Sequence, residues 1–326
     1  MELNTTSQSQ LSDRRIRKKN KWWIFVSALI MLAIGLGALT ITKDAQPQNA
    51  ASDMQALEQN ELVLPPLPSS LTFAGENVPL DVYWVREALE REVINVVYNH
   101  SRTIQIILRT GRFFPQMSQI LNEEGISQDF LYLCVAESSL EQVVSPAKAA
   151  GFWQFMETTG KKYGLEIRDE MDERYDVEKS TRAACKYLKN NYKMLESWTL
   201  AAAGYNMGET GVKNALKQQS SNNYWDLYLN TETSRYIYRI LAYKVVMENK
   251  ELYHIDIAEN QLHKPIPTRN IAIDTTINDL YLFAQQNSVT YRELKTLNPW
   301  LRSTKLTVSG KKYTILLPAE AVKIKN

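Results

Sequence analysis

The chain of 326 residues is poor in the residues that build metal and redox sites: it has two cysteines, Cys134 and Cys185, and three histidines, His100, His254 and His263. None of these histidines stands at zinc-site spacing from a cysteine or an acidic cluster, so no metal and no cofactor is expected. His100 follows a helical pattern and reads as a surface or structural residue. A disulfide and two separate thiols are both open; the apolar surroundings of Cys134 favour a packed free thiol. A dense basic face is also missing, since the net charge is only +2, and this excludes a nucleic-acid partner.

Positive charge is instead concentrated at the start, where Arg14, Arg15, Arg17, Lys18, Lys19 and Lys21 face only Glu2 and Asp13. An uncharged stretch from Trp22 to Ile41 follows, with Ser27 and Thr40 as its polar breaks. At ~1.5 Å per residue it spans a hydrocarbon core of about 30 Å. A cleaved signal peptide and a buried core helix are the competing readings. The first would have a shorter apolar region ending near a small-residue cleavage site; the second would carry a polar stripe. No cysteine follows the stretch, so lipid attachment through cysteine is excluded there. The positive-inside rule places residues 1–21 in the cytoplasm and the body on the other side of the membrane. Residues 44–70 are polar and then proline-rich at Pro65, Pro66 and Pro68, the composition of an extended tether.

The body reads as mainly α. Val82, Val85, Leu89 and Val93 recur at helical spacing between Asp81 and Asn95. A mixed segment runs to Arg109; Pro115 interrupts, and Met117, Ile120 and Leu121 begin another turn. Asp129 to Leu140 is free of Gly and Pro, with Phe130, Leu133, Cys134 and Ala136 as an apolar face. Ser145 and Pro146 read as a helix start. Asp176–Asn190, with Ala183, Ala184, Tyr187 and Leu188 inward, Thr199–Tyr205 and Thr233–Asn249 complete the helical set, and Gly208 and Gly211 mark turns. Beyond Pro265 and Pro267 the pattern changes to strand (Arg269–Ile273), two short helices (Asn278–Gln286, Tyr291–Asn298) and strand (Lys312–Leu317). That unit is small enough that its independent stability is not assured.

Glu137 lies four residues after Leu133 and three after Cys134, on the same helical face. An acid that protonates a glycosidic oxygen must stay protonated near neutral pH, and an apolar setting achieves this by penalising the anion. One glutamate on a helix is equally a salt-bridged surface residue, and periodicity alone leaves both readings open.

Its neighbourhood is more specific. Ala136-Glu137-Ser138, then Ser145-Pro146-Ala147 through Gly151-Phe152-Trp153-Gln154-Phe155-Met156, then Asp172-Glu173-Arg174-Tyr175-Asp176 with Ser180-Thr181 and Ala183-Ala184, then Tyr205-Asn206 with Gly208, then Glu232-Thr233 with Tyr236 follow one another in order. In this series the chain resembles the lytic murein transglycosylases that carry a goose-lysozyme-like soluble-lytic-transglycosylase domain. It is most similar to their membrane-bound D-type branch, in which LysM modules follow; Pro79-Leu80-Asp81 and Arg112-Phe113-Phe114-Pro115 also fit that branch. The resemblance implies seven segments. These are a cytoplasmic basic segment (1–21), a transmembrane anchor (22–42), a flexible linker (43–72), an all-α lysozyme-like domain with a helical N-terminal extension (73–254), a linker (255–267), a small βααβ LysM-like domain (268–318) and a tail (319–326). It implies a single-pass protein of the bacterial inner membrane with its catalytic body in the periplasm, acting on peptidoglycan glycan strands.

The resemblance also implies roles. Glu137 would protonate the bond between N-acetylmuramic acid and N-acetylglucosamine. It would then act as base on the muramyl 6-hydroxyl, giving 1,6-anhydromuramyl ends without consuming water. Glycosidases that use water need two carboxylates, and no equally supported second one is evident; Asp169, Asp172 and Asp176 read as caps or ion-pair partners. Ser138, Gln154, Met156, Tyr205, Asn206 and Tyr236 would line the sugar groove, with the Tyr205 hydroxyl on the catalytic carboxyl or a sugar. Glu232 would orient Tyr205 or cap its own helix. Lys148, where the family usually has glycine, Glu157, in place of a common proline, and Gly204, in place of alanine, are departures. In the LysM-like part Asp274-Thr275 replaces Gly-Asp, and both wall anchoring and a degenerate packing role stay open. A water-using hydrolase and a catalytically silent glycan-binding scaffold are the competing functions.

Overall fold

The computed structural model describes residues 63–320. The basic segment, the apolar stretch at 22–42 and the tail beyond 320 lie outside the described residues. Among those described, no helix is long and apolar enough to cross a membrane.

Two short strands, β1 (Thr72–Phe73) and β2 (Glu76–Asn77), open the body as an antiparallel pair. Helix α1 (Tyr83–Tyr98) buries Val85, Leu89 and Val93, as their spacing predicts. Helix α2 (His100–Glu123) runs unbroken through Pro115, contrary to the expected interruption. A proline lacks the amide that would bond the carbonyl four residues back, here that of Gly111. Burial of Ile106 and Ile107 before it and of Met117, Ile120 and Leu121 after it holds both halves on one core. Helix α3 (Phe130–Ser138) is apolar on nearly every side, with Phe130, Leu131, Leu133, Cys134, Val135 and Ala136 all buried. A helix of that kind belongs in the middle of a domain, and α3 packs between α2 and the later helix at Thr231–Glu248.

The Ser145-Pro146 pair does not start a helix. The Ser145 amide bonds the Ala149 carbonyl, the Lys148 amide bonds the Ser145 carbonyl, and Ser145 Oγ accepts from the Ala149 amide, which closes a tight loop. Lys148 has φ 67° and Gly151 φ 79°, and such left-handed residues reverse the chain where a helix would continue it. A Cβ at Gly151 would meet the Arg174 carbonyl oxygen at 1.9 Å, so only glycine fits. Lys148 holds a conformation that a glycine would adopt without a Cβ penalty.

Helix α4 (Glu157–Lys162) is short. The strands β3 (Ile167–Arg168) and β4 (Met171–Asp172) pair antiparallel. Helix α5 (Val177–Leu195) is capped by Asp176, whose side chain accepts from the Lys179 amide. Helix α6 (Trp198–Met207) is capped by Ser197, and α8 (Thr231–Glu248) by Asn230. Between them lies α7 (Glu209–Gln218). Gly208, at φ 80°, makes the α6–α7 turn, while Gly211 sits inside α7 rather than in a turn. Cys134 and Cys185 are both free and buried.

Strands β5 (Thr268–Ile273) and β6 (Tyr313–Pro318) pair antiparallel, Thr268 opposite Pro318 and Ile273 opposite Tyr313. Helices α9 (Leu280–Gln286) and α10 (Tyr291–Leu297) lie between them in sequence, giving the expected βααβ order. The small core of this unit, with Leu280, Leu294, Leu306, Ile315 and Leu317, continues into Ala150, Met171 and Tyr175 of the helical body. Backbone bonds stitch the seam: the Asp172 amide to the Trp300 carbonyl and the Arg302 amide to the Glu170 carbonyl. The Arg302 guanidinium lies 4.3 Å from the Tyr175 ring centroid. The stretch before β5 is also held down, since the His263 amide bonds the Leu108 carbonyl, and Leu262 approaches Gly111 so closely that a Cβ there would meet its Cβ at 2.5 Å. Likewise Pro65 is buried, and Leu67 and Leu71 pack on the core.

Candidate active site

Helix α3 ends abruptly because two consecutive residues, Ser139 and Leu140, adopt φ 56° and 57°. Such conformations are unfavourable for non-glycine residues and persist only where surroundings fix them. The surroundings are two arginines of α2. Arg102 donates to Ser139 Oγ from Nε (3.0 Å) and Nη2 (2.8 Å), and Arg109 Nη1 donates to the Ser139 carbonyl (3.2 Å). Ser138 Oγ donates to the Cys134 carbonyl and accepts from the Leu140 amide. It thus helps to end the helix, and Ser138 also lines the cavity that Glu137 faces.

This clamp places Glu137 in the last turn of a buried helix, facing an open cavity of about 330 Å³ whose wall also includes Arg102, Gln105, Arg109, Glu141 and Val143. Glu137 is half-buried, with part of its surface on the cavity and the rest among apolar neighbours. Burial pushes its carboxyl up to about 7, against the hydrogen bond from Tyr236 and the charge of Arg239; the charge of Glu232 pushes the same way as burial. The Tyr236 hydroxyl, from α8, donates to Glu137 Oε1 at 2.5 Å. Tyr236 itself is buried. A carboxyl in this setting is half protonated near neutral pH, the condition for giving a proton and taking one back.

The other predicted residues are distributed around this pair. Tyr205 is buried, and its hydroxyl donates to the Trp153 carbonyl (2.8 Å) rather than to Glu137. Gln154, at φ 46°, donates from Nε2 to the carbonyls of Val143 and Gly151, so it supports the cavity wall through Val143. Met156 is 43% exposed and stands free to meet a ligand. Asn206 Oδ1 accepts from the Thr233 hydroxyl (2.9 Å), joining α6 to α8. Glu232 is exposed at the start of α8, where its amide is bonded by the cap residue Asn230; its own carboxylate makes no bond to Tyr205.

Sequence reading missed a second carboxylate. Glu141 lines the same cavity as Glu137, four residues on, and its Oε1 lies 2.5 Å from Arg109 Nη2. Helical spacing gave no signal for it, because the helix that carries Glu137 ends at Ser138, before Glu141. Arg102, Gln105 and Arg109 were missed too, because they come from a distant helix and lie in a segment read only as mixed. Asp172 and Asp176 are a partner of Arg174 and a helix cap, as expected. Among the described residues no group of His, Cys, Asp and Glu could hold a metal.

Residues 118–228 match the transglycosylase SLT domain, and residues 269–321 match the soluble lytic transglycosylase C-terminal LysM-like domain. The chain thus carries an SLT domain followed by a C-terminal LysM-like domain. It is 26% identical over 238 residues to the membrane-bound lytic murein transglycosylase D of Escherichia coli (strain K12), which covers 71% of this chain and 51% of that protein. The same figures hold for the protein of that name in E. coli O6:H1 (strain CFT073). The chain thus spans about half the length of the curated relatives it matches. The SLT match takes in Glu137, Gln154, Met156, Tyr205 and Asn206, whereas Tyr236 and the clamp residues Arg102 and Arg109 lie outside it.

Proposed function

We propose that the protein is a lytic transglycosylase of peptidoglycan. Glu137 protonates the oxygen between N-acetylmuramic acid and N-acetylglucosamine, then withdraws the proton of the muramyl 6-hydroxyl as that oxygen closes on the anomeric carbon. One glycosidic bond breaks, one intramolecular ether bond forms, and the proton given by Glu137 is replaced by the one it takes. The observation that carries this reading is a carboxyl held at about 7 on an open polar cavity, inside an SLT domain. Tyr236 supports the exchange by holding Oε1 in place in both protonation states.

A second reading has its own observation: Glu141 on the same cavity could act as base toward a water, making the protein a hydrolase. Its ion pair with Arg109 favours the first reading, because the carboxylate is held on a guanidinium instead of being presented free to a water. A scaffold without catalysis is opposed by the raised pKa of Glu137, which a mere packing residue has no use for. Mass spectrometry of digested cell wall decides: 1,6-anhydromuramyl ends from the wild type and none from Glu137→Gln support the proposal. Reducing muramic acid ends would establish the hydrolase, and an intact wall with wild-type protein the scaffold. The membrane anchor at 22–42, a periplasmic body and wall anchoring by the LysM-like domain belong to the same proposal, supported by the basic-then-apolar order of the N-terminal sequence.

A further inference from the structure

A second cavity, of about 550 Å³, adjoins the first: Arg102 lines both. It is formed where the C-terminal half of α1 faces α8, and three arginines converge on it, Arg102, Arg235 and Arg239, with Glu92 the one carboxylate in its wall. The charges are not equally committed. Arg235 is bound to the buried Glu92, Nε to Oε1 at 2.7 Å. Arg102 gives its donors to the neutral hydroxyl of Ser139, which leaves its charge uncompensated. The Arg239 guanidinium makes no hydrogen bond and no ion pair among the described residues. Arg239 is also three residues after Tyr236 on α8, hence on the same face, and its charge is felt at Glu137.

We propose that this cavity is a subsite for a carboxylate-bearing peptide branch of the glycan strand, with Arg239 as its anchor. The inference rests on the reading of the first cavity as the place where peptidoglycan is held. Sugar hydroxyls are neutral and do not call for a cluster of cations, two of them, Arg235 and Arg239, half-buried. A guanidinium presents a planar fork that fits a carboxylate through two parallel hydrogen bonds. The muramyl sugar carries such groups on its peptide branch, and a strand bound at Glu137 brings that branch within a few ångströms of its own backbone. The volume lies within the range of about 300–1,000 Å³ typical of sites for ligands the size of a short peptide. The exposed side-chain amides of Asn95 and Asn99 on the same wall offer donors and acceptors to a peptide backbone.

Binding is measured on the full chain carrying Glu137→Gln, so that strands are held and not cut. Three soluble strand preparations are compared: with peptide branches, with the branches removed, and with the branch carboxylates amidated. The branched strands are expected to bind about tenfold tighter than the other two, the size of one charge-assisted hydrogen-bonded pair at a half-exposed site. Adding Arg239→Gln is expected to bring all three to one affinity. Equal affinities in the parent protein, or a preference that survives Arg239→Gln, would overturn the proposal. If the double variant does not fold, amidated against native branches in the parent decides alone. Failure of the activity reading is separate: it appears as wild-type protein that shows the binding preference and leaves every strand uncut.

Discussion

The Tyr236 hydroxyl donates to Glu137 Oε1 across 2.5 Å, joining the middle of α8 to the last turn of α3. The bond favours the anion, burial favours the acid, and burial prevails. Removing the hydroxyl therefore moves Glu137 further up. In Tyr236→Phe the alkaline limb of the pH–rate profile, which falls as Glu137 loses its proton near 7, is expected to shift to higher pH. The maximal rate is expected to drop about tenfold to a hundredfold through lost orientation. A limb that stays in place, or moves toward acid, would show that Tyr236 does not set the proton affinity of Glu137.

The same burial has a consequence for stability. Glu137 binds its proton more tightly folded (about 7) than as an ordinary, solvated glutamate of the unfolded chain (about 4.5). Between those values the folded state holds more protons, so stability falls as pH rises through the window. Glu137→Gln removes the dependence and keeps an acceptor for Tyr236. The shift sets an upper bound of about 3 kcal/mol, and exposure to the cavity reduces it to about 1–2 kcal/mol. Denaturant melts at about pH 8.5 are expected to show the variant more stable by that amount. Near pH 4 the two proteins should unfold alike. A variant less stable at high pH would mean that the carboxylate is better accommodated than its surroundings imply.

Glu141 separates the lyase from the hydrolase. If Glu137 alone transfers protons, Glu141→Gln loses the ion pair with Arg109 and activity drops only severalfold, with anhydro ends unchanged. If Glu141 activates water, the same change removes the base, and the rate falls about a hundredfold or more. Reaction in isotopically labelled water gives a second reading, since only hydrolysis places solvent oxygen in the product.

How far the sequence reveals this arrangement depends on the kind of signal. Periodicity finds α1, α3, α5, α6 and α8 because each buries a continuous face, and finds the βααβ order because strands and helices there alternate within a few residues. It overlooks that α2 continues through Pro115, since the compensating contacts of Ile106, Ile107 and Leu121 are tertiary. It misreads Ser145-Pro146, because the deciding fact is backbone closure at Lys148 and Gly151, not the cap-like side chains. Glu137 and Tyr236 are legible through ordered motifs, although their contact spans 99 residues of sequence. Arg102 and Arg109 are invisible to spacing, since they act on Ser139 from a separate helix. The bond from the Tyr205 hydroxyl to the Trp153 carbonyl is not legible, because that carbonyl belongs to a loop with no periodic pattern.

The continuous core between the helical body and the LysM-like unit predicts joint unfolding. Met171 is fully buried and belongs to that unit's core, while its backbone bridges to Leu301. The unit's strands, Thr268–Ile273 and Tyr313–Pro318, enclose two short helices, a size at which an isolated core is marginal. Sharing Ala150, Met171 and Tyr175 supplements it. Around the seam, Glu170 accepts from the Thr307 amide and pairs with Arg168 and Lys305, which hold its carboxyl down at about 2. Met171→Ala leaves a cavity on both sides of the seam and is expected to destabilise by about 2–5 kcal/mol. Calorimetry should show one transition for the wild-type body, moved to lower temperature as a whole in the variant. Two separated transitions in the wild type, with only one displaced by Met171→Ala, would show that the LysM-like unit folds independently and that the seam is a surface contact rather than a common core.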